Sequence, residues 1–137
     1  MEPLILDTCA IIWISSGEKV SDIALDSMKK TAAAGIFTYI SPISAWELGL
    51  LVSKGRLPAK VNERVWLDRM LALPMMEYSE LSPDLLIGSS YLPGVPPNDP
   101  ADRIIIATAR QYGLSIITRD KLILNYAKDG HVKAIAC

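Results

Sequence analysis

Four acidic residues stand where ordinary strand and helix patterns do not call for them: Asp7, Glu47, Asp102 and Asp120. Asp7 closes the apolar run "PLIL" (3–6), and Asp120 follows the apolar run "LSIIT" (114–118) after only Arg119. On a helical pattern, Asp102 shares its face with Ile105, Ile106 and Ala109, so the acid points the way the core residues point. Glu47 repeats this oddity, sharing a face with Ile43, Leu50 and Leu51 at spacings of three and four. Two like charges about 4 Å apart repel by roughly 4 kcal/mol at an effective dielectric near 20. Four uncompensated charges would consume much of the roughly 5–15 kcal/mol that holds a domain together. Such a group must keep protons or hold a cation. All-oxygen donors favour hard divalent ions, Mg²⁺ or Mn²⁺, and no His or Cys cluster argues for zinc. The chemistry that follows is metal-assisted hydrolysis of a phosphodiester.

These acids meet only if the right elements carry them. "PLIL" and "LSIIT" read as buried strands, continuously apolar as strands covered on both faces are. "TCAIIWISS" predicts one or two helical turns. The segment 21–35 predicts an amphipathic helix capped by Ser21 and ended by Gly35, and "IFTYIS" (36–41) a strand. The helix 41–55 has Ser41 as cap, Pro42 in its first turn and Gly55 as stop. A further helix is expected over 60–74, stopped by Pro74. "MMEYSEL" is a strand candidate, "SPDLLIGSSYL" a short helix and "PGVPPNDP" (93–100) a Pro-rich loop. The helix 101–112, Gly113, the strand 114–118, the helix "DKLILNYAKDG" and an edge strand "VKAIA" complete the chain. Alternating strands and helices argue for an α/β fold: a three-layer α/β/α sandwich with a mostly parallel central sheet. In such sheets sites form outside the carboxyl ends of the strands. Parallel strands would therefore bring Asp7 and Asp120 to one edge.

The 137 residues suit a single domain, and half are hydrophobic, enough for a sizeable core. With 14 basic residues against 15 acidic, the chain has no general basic coat for nucleic acid, although a local patch is compatible with neutrality. The two cysteines, Cys9 and Cys137, do not make a disulfide framework. The start "MEPLILDTCAIIWISS" is apolar but acidic, lacks the basic leader of a signal peptide and is too short to span a bilayer. The expectation is a reducing, cytoplasmic setting with no membrane association.

Each neighbour of the acids has two readings. Asp7 and Asp102 could simply answer helix dipoles, and Asp120 could cap the helix that follows it. Glu47 is mid-helix, where capping does not account for it. In "DPAD", Asp99 falls at the N-cap, Pro100 at the first helical position and Asp102 three residues after the cap. Asp99 is expected to cap, with metal ligation as its alternative. Thr8 and Thr118 could each orient a carboxylate. Arg103, Arg110 and Arg119 flank the acids and could hold RNA phosphates or only balance charge. Cys9 reads as a small buried residue rather than a thiol nucleophile, because the only His, His131, sits in a "DGHV" turn, where a surface position is expected. Trp46 and Trp66 read as core or dimer contacts, with stacking on RNA as the minor alternative.

Taken together, "LILDTCAIIW", "SPISAWELGLL", "DPADRIIIATA" and "IITRD" resemble the motifs of PIN-domain ribonucleases, and more closely those of VapC toxins of VapBC toxin–antitoxin pairs. The resemblance covers nearly the whole chain. It implies a Mg²⁺-dependent (or Mn²⁺-dependent) endoribonuclease with Asp7, Glu47, Asp102 and Asp120 as catalytic metal ligands. It also implies a homodimer and inhibition by a small VapB-like antitoxin. A PIN-like nuclease outside any toxin–antitoxin pair, and a non-catalytic RNA- or protein-binding PIN-like domain, stand as the alternatives.

Overall fold

The first apolar run is covered on both sides. In the computed structural model, which describes residues 2–57 and 62–137, β1 is Leu4–Leu6 and all three of its residues are buried. Asp7 caps α1 (Thr8–Ser16), which is longer than the one or two turns expected. Then follow α2 (Asp22–Ala33), β2 (Thr38–Ile40), α3 (Pro42–Ser53), α4 (Glu63–Leu71), β3 (Met76–Tyr78), α5 (Pro83–Gly88), α6 (Pro100–Tyr112), β4 (Ser115–Thr118), α7 (Lys121–Lys128) and β5 (Lys133–Ala136). The expected caps Ser21 and Ser41 accept the N–H groups of Ala24 and Ile43. Asn62 caps α4, while residues 60–61, where that helix was expected to begin, lie outside the described residues.

The five strands form one parallel sheet in the order β3-β2-β1-β4-β5. From β1 the chain builds outward to β3, then crosses to β4 on the other side of β1. The order therefore reverses between β1 and β4, and the crevice outside the carboxyl ends of these two strands is where such sheets place their sites. The register pairs Leu6 with Ile117 and with Ile40, so the residues after them, Asp7, Thr118 and Ser41, arrive side by side.

Alternation along β1 divides the core. Leu4 and Leu6 join Ala10, Ile11, Ala24, Ile40, Leu48, Leu67, Met70 and Ile117 on one face, under α1 to α4. Ile5 joins Ile105, Ile106, Ala109, Leu114, Ile116, Ile123 and Tyr126 on the other, under α6 and α7. This is the expected α/β/α sandwich, and each fully buried Ile or Leu contributes about 1.5–3 kcal/mol. Because α6 enters β4 from below through Gly113, which takes a left-handed φ of 66°, its N-terminus overhangs the carboxyl edge. The same geometry places the start of α3 there, since α3 leaves β2 directly.

Trp66 packs partly buried against the first core, as expected, but Trp46 is 55 % exposed and belongs to neither core. His131 is not a free surface residue. Its ring lies 4.8 Å from that of Tyr126, and a Cβ on Gly94 would come within 2.5 Å of its Nε2. Gly94 also has φ +68°, so both the space and the backbone require glycine. With the Tyr126 hydroxyl donating to the Pro93 carbonyl, this contact pins the Pro-rich loop onto α7.

Candidate active site

Asp7 is 3 % exposed, and both of its carboxylate oxygens have partners. Oδ1 accepts the N–H of Ala10 at 2.7 Å, capping α1, and Oδ2 accepts the hydroxyl of Thr118. Burial pushes the acid above its ordinary range, the Thr118 and Ala10 donors pull it back, and Asp120 pushes it up again. The dipole reading of Asp7 is therefore correct, but incomplete: a surface cap would not be buried or coupled to other acids.

On β4, Thr118 is fully buried and also accepts the N–H of Asp120 at 3.0 Å. Asp120 caps α7, its Oδ1 accepting the N–H groups of Leu122 and Ile123 at 2.8 and 3.1 Å. The capping reading of this residue holds, and its charge also reaches Asp7 and Asp102.

Glu47 is half-buried on α3. Its Oε1 accepts the hydroxyl of Thr8, which in turn lies 2.9 Å from the hydroxyl of Ser44. Burial raises the Glu47 pKa, Thr8 lowers it, and the charges of Asp99 and Asp7 raise it further. Asp102, in the first turn of α6, is the most perturbed, pushed up to about 8 by burial and then by Asp99, Asp120, Glu47 and Asp7. The acids from four segments thus share one electrostatic neighbourhood at the carboxyl edge.

Asp99 departs from its expected role. Its backbone has the extended geometry of an N-cap (φ −61°, ψ 122°), but its side chain makes no capping hydrogen bond. Turning inward toward the N–H of Asp102 would carry its charge onto a second carboxylate. Its charge instead raises both Glu47 and Asp102, which makes it a fifth acid of the group.

The arginines are fixed within the fold rather than extended as free cations. Arg103 donates from Nε to the Pro97 carbonyl at 2.8 Å and from Nη1 to the Ser89 carbonyl at 3.4 Å, holding the loop that leads to Asp99. Arg119 lies 4.0 Å over the Trp13 ring and donates to the carbonyls of Cys137 and Lys19. Arg110 donates to the His131 carbonyl. Arg103 and Arg119 each satisfy carbonyls outside the regular elements, a structural role that stands beside the two readings of the sequence. Cys9 is exposed, not buried as expected, and the protein around its thiol and the nearby Asp7, Glu47, Asp102 and Asp120 push it up to about 12, which disfavours the thiolate.

Among the described residues, no group of three or more His, Cys, Asp or Glu side chains stands as a ready-made metal cage. Asp7 is held by Ala10 and Thr118, Glu47 by Thr8, and Asp120 by α7. The donor set still fits a hard divalent cation: it is all oxygen, mutually repelling and protonated at Asp102 near neutrality. Ser44 is the residue that the sequence did not disclose. It is fully buried one helical turn before Glu47, and only that spacing hinted at it.

Comparison with known proteins extends this picture. Residues 4–129 match the sequence model of the PIN domain. Ribonuclease VapC22 of Mycobacterium tuberculosis is 24 % identical over 127 residues, covering 92 % of this chain and 93 % of that protein. VapBC2 of Rickettsia felis, solved bound to a DNA fragment from its promoter, superposes with a TM-score of 0.70 at 17 % identity, covering 98 % of each chain. FitAcB of Neisseria gonorrhoeae superposes with a TM-score of 0.56 at 21 % identity, covering 96 % of each. The match begins at β1, with Asp7 at its end, and runs through α7, with Asp120 at its start, so it takes in every acid at the carboxyl edge: this chain belongs to the PIN domain family.

Proposed function

We propose that this protein is a metal-dependent endoribonuclease, the toxin of a toxin–antitoxin pair, working in the cytoplasm as a homodimer and silenced by a small VapB-like antitoxin. The observation that carries the nuclease reading is the meeting of five carboxylates at the β1/β4 edge, where burial first and then the charges of Asp99, Asp120, Glu47 and Asp7 push Asp102 up to about 8. The toxin reading rests on the likeness to the VapC ribonuclease and the VapBC complex.

Asp7, Glu47, Asp102 and Asp120 would hold Mg²⁺ or Mn²⁺, with Asp99 beside them. Such an ion, when bound, offsets charge on a phosphodiester and eases deprotonation of an attacking water. The chain's own residues prepare for this. Thr118 favours the charged form of buried Asp7, Thr8 donates to Glu47, and Asp102 would give up its proton to a bound cation.

The test is cleavage of total RNA with Mg²⁺ or Mn²⁺ and with excess EDTA. Cleavage is expected only with metal, yielding 5′-phosphate and 3′-hydroxyl ends, and Asp7→Asn and Glu47→Gln are expected to abolish it. Undiminished cleavage in EDTA sinks the mechanism, and 2′,3′-cyclic phosphate ends would mean attack by the RNA's own 2′-hydroxyl. The toxin reading is tested separately: induction of the active protein alone should arrest growth, and co-expression of its antitoxin should restore it. Normal growth with abundant RNA-cleaving protein would remove the toxin assignment and leave the nuclease.

A further inference from the structure

We propose that Ser44 is a positioning residue that sets Glu47 through Thr8; this rests on the nuclease reading of Glu47. Thr8 carries a single hydroxyl hydrogen, and it is donated to Glu47 Oε1. The 2.9 Å contact between the Thr8 and Ser44 hydroxyls is then made with the Ser44 hydrogen. The chain of bonds therefore runs Ser44 to Thr8 to Glu47.

Burial makes this chain specific. Ser44 is 0 % and Thr8 5 % exposed, so water does not replace a missing partner. The Thr8 hydroxyl could otherwise rotate away from Glu47, and the Ser44 hydrogen fixes its lone pair and hence the direction of its own hydrogen. Thr8 also follows Asp7 directly, so the chain couples the strand-end acid of β1 to the mid-helix acid of α3. Ser44 makes its side-chain hydrogen bond to Thr8 and to neither acid, so it acts through Thr8.

The test is a double-mutant cycle in Mn²⁺-dependent RNA cleavage, using the full-length protein. Ser44→Ala is expected to lower kcat by roughly ten- to a hundredfold, as small misplacements of reacting groups do, with KM for RNA and melting temperature nearly unchanged. Thr8→Val should cost as much, and adding Ser44→Ala to it should cost nothing further. Ser44→Thr, which keeps the hydroxyl, should restore most of the rate; should its methyl prevent folding, the cycle alone decides. Wild-type kcat in Ser44→Ala, independent losses in the double variant, or a fall in melting temperature with kcat intact would each overturn the proposal. A wild type that does not cleave RNA would instead defeat the nuclease reading. The ¹³C resonance of the Glu47 carboxyl in the metal-free protein still tests the contact in that case. Ser44→Ala must move that resonance in the same direction as Thr8→Val, and an unmoved resonance overturns the positioning role.

Discussion

Asp7 and Asp120 share one hydroxyl: Thr118 donates its hydrogen to Oδ2 of Asp7 and accepts the N–H of Asp120 at 3.0 Å. Thr118→Val removes both bonds while keeping the volume. A buried carboxylate oxygen and a strand-end N–H lose their partner, at an expected cost of about 1–3 kcal/mol in chemical denaturation. Burial already raises the Asp7 pKa, and it would rise further without a donor that favours the charged form. The acidic limb of the cleavage profile should therefore move to higher pH in Thr118→Val and return in Thr118→Ser. A limb that stays in place would show that this hydroxyl does not tune Asp7.

Asp102 gives the metal-free protein a pH-dependent stability. Its folded-state pKa of about 8 lies above the ordinary 3.8, so the native state binds the proton more tightly than the unfolded chain does. The stability this confers is complete below the unfolded pKa and is lost as pH rises through the folded one. Metal-free wild type should therefore lose melting temperature from about pH 4 to about pH 8 more steeply than Asp102→Asn, and the two curves should run parallel above that. Mg²⁺ or Mn²⁺ should flatten the wild-type curve, because the cation replaces the proton. Parallel curves for the two proteins would remove Asp102 as the source.

The strand-end acids were legible because their positions follow from the chain alone. A parallel sheet puts the residue after β1 and the residues after β4 on one edge, and continuous apolar runs identify both strands. Helical period placed Glu47 and Asp102 on inward faces. What stayed hidden depends on contacts between distant segments. Ser44 meets Thr8 across 36 positions, and a serine on a helix carries no mark of that. Arg119 reaches the Lys19 carbonyl 100 positions away, and a backbone acceptor leaves no trace in side-chain types. Asp99 was misread because local rules predict a cap, whereas its neighbours in space are carboxylates.

Arg119 is expected to matter for stability and not for RNA affinity. It closes Trp13, the Lys19 carbonyl and the Cys137 carbonyl into one contact beside Asp120. Arg119→Ala should cost roughly 1–3 kcal/mol in urea denaturation, from two lost bonds to a charged donor and a lost cation–π contact. The salt dependence of RNA binding, measured in an Asp102→Asn background to prevent cleavage, should not change. A salt slope shallower by about one, with stability intact, would instead place a phosphate on Arg119.

Asp99 and Asp120 should exchange the roles that their positions suggest. Both sit at a helix N-cap with extended backbone, but only Asp120 caps with its side chain, accepting the N–H groups of Leu122 and Ile123. Asp120→Ala should therefore lose about 0.5–2 kcal/mol of stability together with cleavage. Asp120→Asn keeps the capping oxygen and should regain the stability but not the activity, because only the charge is gone. Asp99→Ala gives up no cap and relieves repulsion at Glu47 and Asp102, so its metal-free stability should match or exceed that of wild type. Its Asp102 should titrate lower, and its affinity for Mn²⁺ should weaken as a nearby negative charge disappears. Denaturation curves and calorimetric Mn²⁺ titrations of the three variants separate these outcomes. Loss of stability in Asp99→Ala with unchanged Mn²⁺ affinity would make Asp99 the ordinary helix cap that "DPAD" suggests, and would remove it from the acidic group.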